Sequence, residues 1–291
     1  MQVVFHLGVH DTDEDRLVRC LLKNKGKLAE EGIIVPGPSR YRALLRDTIN
    51  ALRGAEVTPE AQAVILEAVL EEDGGKRLIL SNEQFLCLPD KVLGGGKLYP
   101  LAGRRARSLA NLFPQHPVAF HLGIRNPATL LPAVFARLPT LAYDQFVAGS
   151  DLTDLHWADT IAAIRASVPD VPITVWCNED TPLIWPEIVA AVTGHDSATE
   201  LEGLLDLAAE IMSPDGVKWM QTYLQNHRPQ SVQQRRRIIS AFLAKFSLPE
   251  KTEVELEMPG WTQELIEDIT DTYEQDIAVV QTLPGVTFIG L

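Results

Sequence analysis

The segment VVFHLGVHDTDEDRLVRCLLKN, residues 3–24, is the stretch on which the prediction of the fold depends most. Residues 2–8 form an apolar, β-rich run that ends at Gly8, and residues 14–31 carry apolar side chains at helical spacing. A strand, a glycine turn and an amphipathic helix in this order are the usual geometry for binding a phosphate at a helix N-terminus. The turn nevertheless contains four acids, which are Asp11, Asp13, Glu14 and Asp15.

The composition of the chain limits its class. With 291 residues, 46% of them hydrophobic, the chain is long enough to bury a substantial core. The net charge of −13 argues against general nucleic-acid binding, because phosphate backbones repel a surface of that sign. Cys20, Cys87 and Cys177 lie far apart in apolar surroundings, which predicts reduced core thiols rather than disulfides or a metal site.

The first residues and the apolar runs of the chain indicate the cellular compartment in which the protein is expected. The first residues, MQVVFHLGVHD, have neither a basic start nor a cleavable apolar segment. No uninterrupted apolar run approaches the length of about 20 residues that crosses a bilayer. We therefore expect a cytoplasmic protein without a membrane partner.

Three further apolar runs predict strands, at Leu78 to Leu80, Val118 to Ile124 and Ile173 to Cys177. The segments between them predict helices at 40–53, 58–72 and 102–112, and another helix that begins at Pro127. Short apolar strands that alternate with helices indicate a parallel sheet covered on both faces, which is a three-layer α/β sandwich.

The chain beyond about residue 195 is predicted to be mostly helical. The helices are expected at 198–212, 215–227, 231–246 and 261–282, and the closing VTFIG is predicted to be an edge strand. No clear linker interrupts the chain, so we expect residues 1–291 to form a single domain with a helical C-terminal portion, residues 195–291.

Polar clusters follow three of the predicted strands: HDTDED, SNEQ and RNPAT. Ligands of parallel sheets collect in the crevice at the carboxyl ends of the strands. We therefore expect these three clusters to lie together.

These motifs resemble the bacterial sulfotransferase-like family. HLGVHDTDEDRLVRCLLKN is similar to the opening of those proteins, where a strand leads into a Gly-x-His-Lys-Thr-Gly-Thr-Thr loop and then a helix. LILSNEQF resembles the family's second strand with its Ser-Ser-Glu ending, and LGIRNPATLLPAVFARL resembles its Arg-Asn/Asp-Pro element. The C-terminal YEQDIAVVQTLPGVTFI also looks like these proteins. The resemblance implies a P-loop NTPase-like fold of the sulfotransferase branch.

The resemblance also implies an activity, which is PAPS-dependent transfer of a sulfuryl group to a hydroxyl or amine of a small-molecule or carbohydrate acceptor. It implies that PAPS, or its product PAP, is the cofactor and that no metal is needed. It assigns the donor nucleotide to two groups of residues, with Gly8, Val9, His10 and Thr12 around the 5′-phosphosulfate and Arg125 and Asn126 at the 3′-phosphate. Glu83 would be the general base, and His10 would contact a phosphate or sulfuryl oxygen.

The chain departs from the family pattern at the donor site. Asp11 stands where the family has a lysine, and Asp13, Glu14 and Asp15 replace a glycine and two hydroxyl residues. Ala133 stands where the family commonly has a serine that helps to bind the 3′-phosphate. Carboxylates at a helix start cap its N–H groups, and each would repel a polyanionic nucleotide by about 1 to 4 kcal/mol. These departures favour the alternative of a catalytically inactive homologue that serves binding or assembly, whereas the retained His10, Glu83 and Arg125 favour an active enzyme.

Two other interpretations of the acids and of Arg125 remain open. Asp11-Thr12-Asp13 has the Asp-x-Asp spacing of Mg²⁺-dependent phosphohydrolases with an aspartyl nucleophile, although Asp15 stands where a hydroxyl residue normally follows. Arg125 would either bind an anionic ligand or pair with one of the acids within the protein.

Glu83 and a basic C-terminal segment also have two interpretations each. Glu83 is either a general base or a helix N-terminal acid that hydrogen-bonds a turn. The segment from Arg228 to Lys245 concentrates basic side chains in an acidic chain. It predicts either a solvated helix face or a site for an acidic substrate or nucleotide phosphate.

Overall fold

The computed structural model describes residues 1–70, 74–252 and 258–291. The strands of its central sheet are β1 (Gln2–His6), β2 (Ile33–Ile34), β3 (Arg77–Ser81), β6 (Val118–Ile124), β7 (Ile173–Cys177) and β8 (Val286–Ile289). Their order is β2-β3-β1-β6-β7-β8, and all neighbours pair in parallel. A separate antiparallel hairpin consists of β4 (Leu93–Gly94) and β5 (Lys97–Leu98).

The helices surround this sheet. In the N-terminal half they are α1 (Arg16–Lys23), α2 (Lys25–Glu30), α3 (Pro38–Leu52), α4 (Pro59–Val69), α5 (Ala102–Ala110), α6 (Pro127–Ala136) and α7 (Tyr143–Val147). In the C-terminal half they are α8 (Trp157–Ser167), α9 (Thr181–Thr193), α10 (Asp206–Glu210), α11 (Pro214–Asn226), α12 (Val232–Phe246), α13 (Pro249–Thr252) and α14 (Gln263–Val280). None of the helices in the described ranges is long and apolar enough to cross a membrane.

Two hydrophobic cores lie on the two faces of the sheet. Successive side chains of a strand point to opposite faces, so Val3 and Phe5 of β1 join one core while Val4 joins the other. The first core is covered by α3, α5, α6, α8 and α14, and the second by α1, α2 and α9. The predicted α/β class, with a central parallel sheet between layers of helices, is confirmed.

The strand order identifies where a ligand site is expected. The chain passes from β1 to the edge at β2 and returns to β3, then crosses β1 to reach β6 and continues outward to β7 and β8. The direction of winding therefore changes at β1 and β6. In open α/β sheets, ligands bind in the crevice beyond the carboxyl ends of the strands at such a point.

Most predicted elements are confirmed, and two helices were predicted wrongly. The predicted helix 14–31 is divided into α1 and α2 at Asn24, and only 206–210 of the predicted helix 198–212 is helical. One residue explains both errors, because the buried Asn24 amide donates to the carbonyls of Cys20 and Glu202 at 2.8 and 2.9 Å. Its Oδ1 accepts the Glu202 N–H, and this contact holds the segment before α10 as a loop on α1.

Other predictions are met closely. The strands at 118–124 and 173–177 match β6 and β7, and the closing VTFIG contains the edge strand β8. The predicted helix 58–72 corresponds to α4, and its residues 71 and 72 lie outside the described residues. The cysteines are buried and form no disulfide with one another, as predicted.

The C-terminal helices separate into two groups. Helices α10, α11 and α12 enclose a small core of their own, built on Ala208, Met212, Met220 and Ile239. Helix α14 instead returns to the main sheet, where Ile269 and Tyr273 join the first core. The predicted helical C-terminal portion is therefore partly an extension and partly a component of the central layers.

Candidate functional site

The loop after β1, residues 7–15, turns sharply over the end of β3. Gly8 has a φ of +85°, and a Cβ atom at Gly8 would lie 2.8 Å from the Cα of Glu83. Glycine is required here both for its backbone conformation and for the close approach of the neighbouring chain. Asp11, Glu14 and Asp15 also have positive φ values, of 54°, 46° and 65°. Contacts around the loop must offset the cost of this conformation.

The three polar clusters meet at the carboxyl ends of β1, β3 and β6, as predicted. The Asp11 N–H donates to Glu83 Oε2 at 3.4 Å, and Arg125 Nη1 donates to the Asp11 carbonyl at 2.5 Å. Residues from three different strand ends are thus joined through Asp11.

Arg137, at the end of α6, bridges the two acids of this junction. Its Nη2 lies 2.7 Å from Glu83 Oε1, and its Nη1 lies 3.2 Å from Asp11 Oδ1. Sequence analysis missed Arg137, although LGIRNPATLLPAVFARL contains it one helix length after Arg125. Asp11, Glu83 and Arg137 are called the closing network below.

Burial and the charge of Arg137 have opposite effects on the pKa values of Asp11 and Glu83. Burial raises the pKa of Glu83, but the hydrogen bonds and charge of Arg137 outweigh it and hold the pKa below its ordinary value of 4.5. Burial raises the pKa of Asp11 above its ordinary value even though Arg137 opposes the shift. Glu83 is therefore ionised at neutral pH and a weak proton acceptor.

The N–H groups of Val9, His10 and Asp11 in this loop have partners within the protein. The Val9 N–H donates to the Gly123 carbonyl at 3.1 Å, and the His10 N–H donates to the Tyr99 hydroxyl at 3.1 Å. The Thr12 hydroxyl donates to the Val9 carbonyl at 2.7 Å. An anion at the N–H groups of residues 9–11 would have to displace these contacts and that of the Asp11 N–H with Glu83.

The prediction that the acids cap the first helix is right for one of them. Asp13 Oδ2 accepts the Leu17 N–H at 3.0 Å. Asp15 stands at the N-cap position, where its side chain makes no capping bond to the described part of the helix. It pairs instead with Arg42, at 3.0 Å between Nη1 and Oδ2. Hydrogen bonding to Arg42 holds the pKa of Asp15 below its ordinary value.

A carboxylate of the protein itself also lies at the end of β6, and it comes from the residues after the neighbouring strand β7. Glu179 follows β7 and accepts the Asn126 N–H at 2.8 Å, while Asn126 Oδ1 caps α6 by accepting the Ala128 N–H. Arg125 donates from Nε to the Thr129 hydroxyl at 2.9 Å, so its partners are oxygens other than the predicted acid side chains. Sequence analysis did not single out Glu179, although it lies two residues after β7, the strand that neighbours β6.

His10 is fully buried beneath the closing network. Its Nδ1 lies 2.9 Å from the Tyr99 hydroxyl, and its Nε2 has no hydrogen-bond partner among the described residues. Burial lowers the pKa of His10 to about 4, so the ring is neutral at pH 7. The direction of this bond depends on the tautomer: where the Tyr99 hydroxyl donates to Nδ1, Nε2 carries the ring proton.

A cleft of about 930 Å³ opens beside the closing network. It lies between α3, the segment 82–91 and α5, at the carboxyl ends of β1 and β3. The cationic side chains that line it are Arg42, Arg46, Lys91, Arg105 and Arg137, and the lining carboxylates are Asp11, Glu14, Asp15 and Glu83. Its volume is within the range of small-molecule sites.

The two acids of the Asp-x-Asp motif have different partners. Asp11 faces Arg137, whereas Asp13 faces the Leu17 N–H. Among the described residues, no group of three or more His, Cys, Asp or Glu side chains is arranged to hold a metal ion. This geometry does not support the interpretation of Asp11-Thr12-Asp13 as the magnesium site of a phosphohydrolase.

The basic segment from Arg228 to Lys245 contributes in part to packing. Arg235 and Arg236 each lie 2.8 Å from a carboxylate oxygen of Glu187, which joins α12 to α9. Arg236 also donates to the carbonyl of Gly290. Arg228 and Lys245 are exposed, as the solvated-face interpretation predicts.

A scan against protein-family models found no match, and a search of curated proteins found none either. The resemblance to the sulfotransferase-like family therefore stays a prediction.

Proposed function

We propose that this protein is a non-catalytic relative of the sulfotransferase-like proteins, which retains a ligand-binding cleft but has closed its donor-nucleotide site with its own carboxylates. The main support is the closing network, in which Arg137 bridges Asp11 and Glu83 across the loop after β1.

Electrostatics disfavours the donor nucleotide at both of its expected ends. Asp11 and Glu83 lie where the 5′-phosphosulfate would bind, and Glu179 occupies the Asn126 N–H near the 3′-phosphate position. Each close pair of like charges costs about 1 to 4 kcal/mol, depending on local screening. Replacement of a lysine by Asp11 also removes the positive charge that stabilises a transferring group.

The state of Glu83 argues in the same direction. A general base works best when its pKa lies near the operating pH. The pKa of Glu83 is held below its ordinary value by Arg137, and its oxygens are already used by Arg137 and by the Asp11 N–H. Glu83 therefore serves the architecture of the loop better than proton abstraction.

The finer fold assignment is part of the same proposal. A glycine turn between the central strand β1 and helix α1 occurs at the point where the winding of a parallel sheet changes direction. These features support a P-loop NTPase-like fold of the sulfotransferase branch.

Calorimetric titration with PAP tests the proposal. We expect no binding by the wild-type protein at millimolar PAP, and binding by the double variant Asp11→Lys, Asp13→Gly. The variant Asp170→Lys, Glu274→Gln is a matched control, because it changes the charge equally at exposed residues outside the site. Micromolar binding of PAP by the wild-type protein would overturn the proposal.

An active PAPS-dependent sulfotransferase is the second candidate, and His10 is the observation that favours it. Its buried Nε2 has no partner in the described part of the chain, and in the tautomer protonated at Nε2 a sulfuryl oxygen would supply an acceptor. Conversion of PAPS to PAP in the presence of a hydroxyl acceptor, abolished by Glu83→Gln and His10→Ala, would establish this function.

A further inference from the structure

One arginine of the cleft differs from the others. Arg42 pairs with Asp15, Arg137 pairs with the closing network, and Arg46 lies 2.9 Å from its neighbour Asp47. Arg105 of α5 forms no ion pair with any residue in the described ranges. The cleft thus contains a cation that the fold itself does not neutralise.

The guanidinium of Arg105 is held in place while most of its donors stay available. Its Nε donates to the Phe85 carbonyl at 3.1 Å, which anchors the side chain against the segment 82–91. A guanidinium has five N–H donors, and the four on its Nη atoms have no acceptor among the residues described. Arg105 is partly buried, and burial lowers its pKa from the ordinary value.

A half-buried cation without a partner is costly to the protein, and an anionic ligand would offset that cost. A guanidinium fork matches the two oxygens of a carboxylate, which makes a carboxylate the best-fitting partner. Lys91 also lines the cleft, but its ammonium lies 3.2 Å from the Asp90 carboxylate, so Arg105 is the lining cation for which the described residues supply no carboxylate.

The remaining walls of the cleft are largely apolar. Leu88 and Leu101 line it with 55% and 40% of their surface exposed, and Ile49 and Leu86 lie behind them. Exposed leucines beside an unpaired arginine form a surface with an apolar part and an anion-binding part. A ligand with a carboxylate and an aliphatic chain matches both parts.

We infer that the cleft binds a small amphiphilic carboxylate, with its carboxylate on Arg105 and its aliphatic chain on Leu88 and Leu101. This inference deepens the proposed function by naming the class of ligand that the same cleft takes. Arg105 is the specificity-determining residue, because it provides the fork that recognises the carboxylate.

Calorimetric titration of the full chain with octanoate tests the inference. We expect Arg105→Gln to weaken octanoate binding by at least about tenfold, since it removes charge-assisted hydrogen bonds. Arg107→Gln, an equal charge change at an exposed residue of α5 outside the cleft, should leave the affinity within about twofold. Leu88→Asp should also weaken binding, because it places a carboxylate beside the aliphatic chain.

A comparison of ligands keeps the test valid if Arg105→Gln fails to fold. The wild-type protein should bind octanoate at least about tenfold more tightly than the neutral 1-octanol. Equal affinity for the two ligands, unchanged octanoate binding by a folded Arg105→Gln protein, or no octanoate binding by the wild-type protein would overturn the inference. The PAP titration reports separately on the closed donor site, so failure of either idea is distinguishable from failure of the other.

Discussion

Two neighbouring regions at the carboxyl end of the sheet differ in whether their charged side chains have partners within the protein. In the loop of residues 7–15, Asp11, Asp13 and Asp15 each meet an arginine or a helix N–H within the protein. In the cleft beside it, Arg105 meets no carboxylate in the described residues and lies next to exposed leucines. The difference shows that the paired charges of the loop stabilise the fold, whereas the charge of Arg105 in the cleft is available to a ligand.

Under the proposed function, this contrast explains how a phosphate site becomes a site of another kind. A phosphate loop depends on unpaired N–H groups at a helix start, and carboxylates satisfy those groups without a ligand. The strand-end crevice itself is a property of the sheet and is retained. Binding capacity is therefore expected in the open cleft.

The largest effect is expected for Gly8→Ala, which would break the closed loop. The new Cβ would lie 2.8 Å from the Cα of Glu83 at a φ of +85°. Strain and crowding together should lower the free energy of unfolding by about 3 kcal/mol, measured by urea denaturation.

Gly95→Ala is the control for this experiment. Gly95 also has a positive φ, of +59°, but a Cβ there would meet no atom within 4 Å. Gly95→Ala should lower the free energy of unfolding by only about 1 kcal/mol, which is the cost of the left-handed conformation alone. Equal losses in the two variants would show that the contact with Glu83 is unimportant.

Arg137→Gln is expected to have the next largest effect, because it leaves Asp11 and Glu83 without their shared cation. We expect a loss of about 1 to 2 kcal/mol at pH 7, a value reduced from that of a buried pair because Arg137 is partly exposed. Arg228→Gln, at an exposed residue, should change stability by no more than about 0.5 kcal/mol.

The loss caused by Arg137→Gln should depend on pH. The pKa of Glu83 is lowered in the folded protein, so its contribution is present above the ordinary value of 4.5 and disappears as the pH falls through the folded value. Without Arg137, burial becomes the main influence on Glu83 and raises its pKa, and acid then favours the folded state of the variant. The difference in stability between wild type and variant should shrink between pH 7 and pH 4, and a constant difference would contradict this account.

Asp13→Ala tests the capping role of the loop acids and should have a smaller effect. Removal of the oxygen that accepts the Leu17 N–H should cost about 1 kcal/mol in chemical denaturation. Asp13→Asn keeps an acceptor at the same position and should recover most of that loss. If the two variants lose stability equally, the charge of Asp13 matters rather than its hydrogen bond.

Arg46→Gln should have the smallest effect, and it tests whether a second cation of the cleft contributes to stability. Arg46 lines the cleft, its side chain is 61% exposed, and its ion pair is with the adjacent Asp47. Thermal and chemical unfolding should differ from wild type by less than about 0.5 kcal/mol. A loss above about 1 kcal/mol would mean that this cleft cation also stabilises the fold.

The fold was largely predictable because its signals are local. Apolar runs such as Val118–Ile124 and Ile173–Cys177 predict buried strands by themselves, and Pro127 marks the start of α6. The two wrong helices share a cause that no local pattern contains, since the Asn24 side chain binds residues far along the chain.

The sequence by itself determined a parallel α/β sheet, a glycine turn after β1 and a convergence of acids with Glu83 and Arg125, because periodicity and strand ends are encoded over short distances. Only the tertiary structure decided which charges are paired. Arg137 reaches Asp11 across 126 positions, whereas Arg105 finds no carboxylate in the described residues. Charge pairing acts through space over a few ångströms, and the distance between two side chains is set by the packed layers rather than by their separation along the chain.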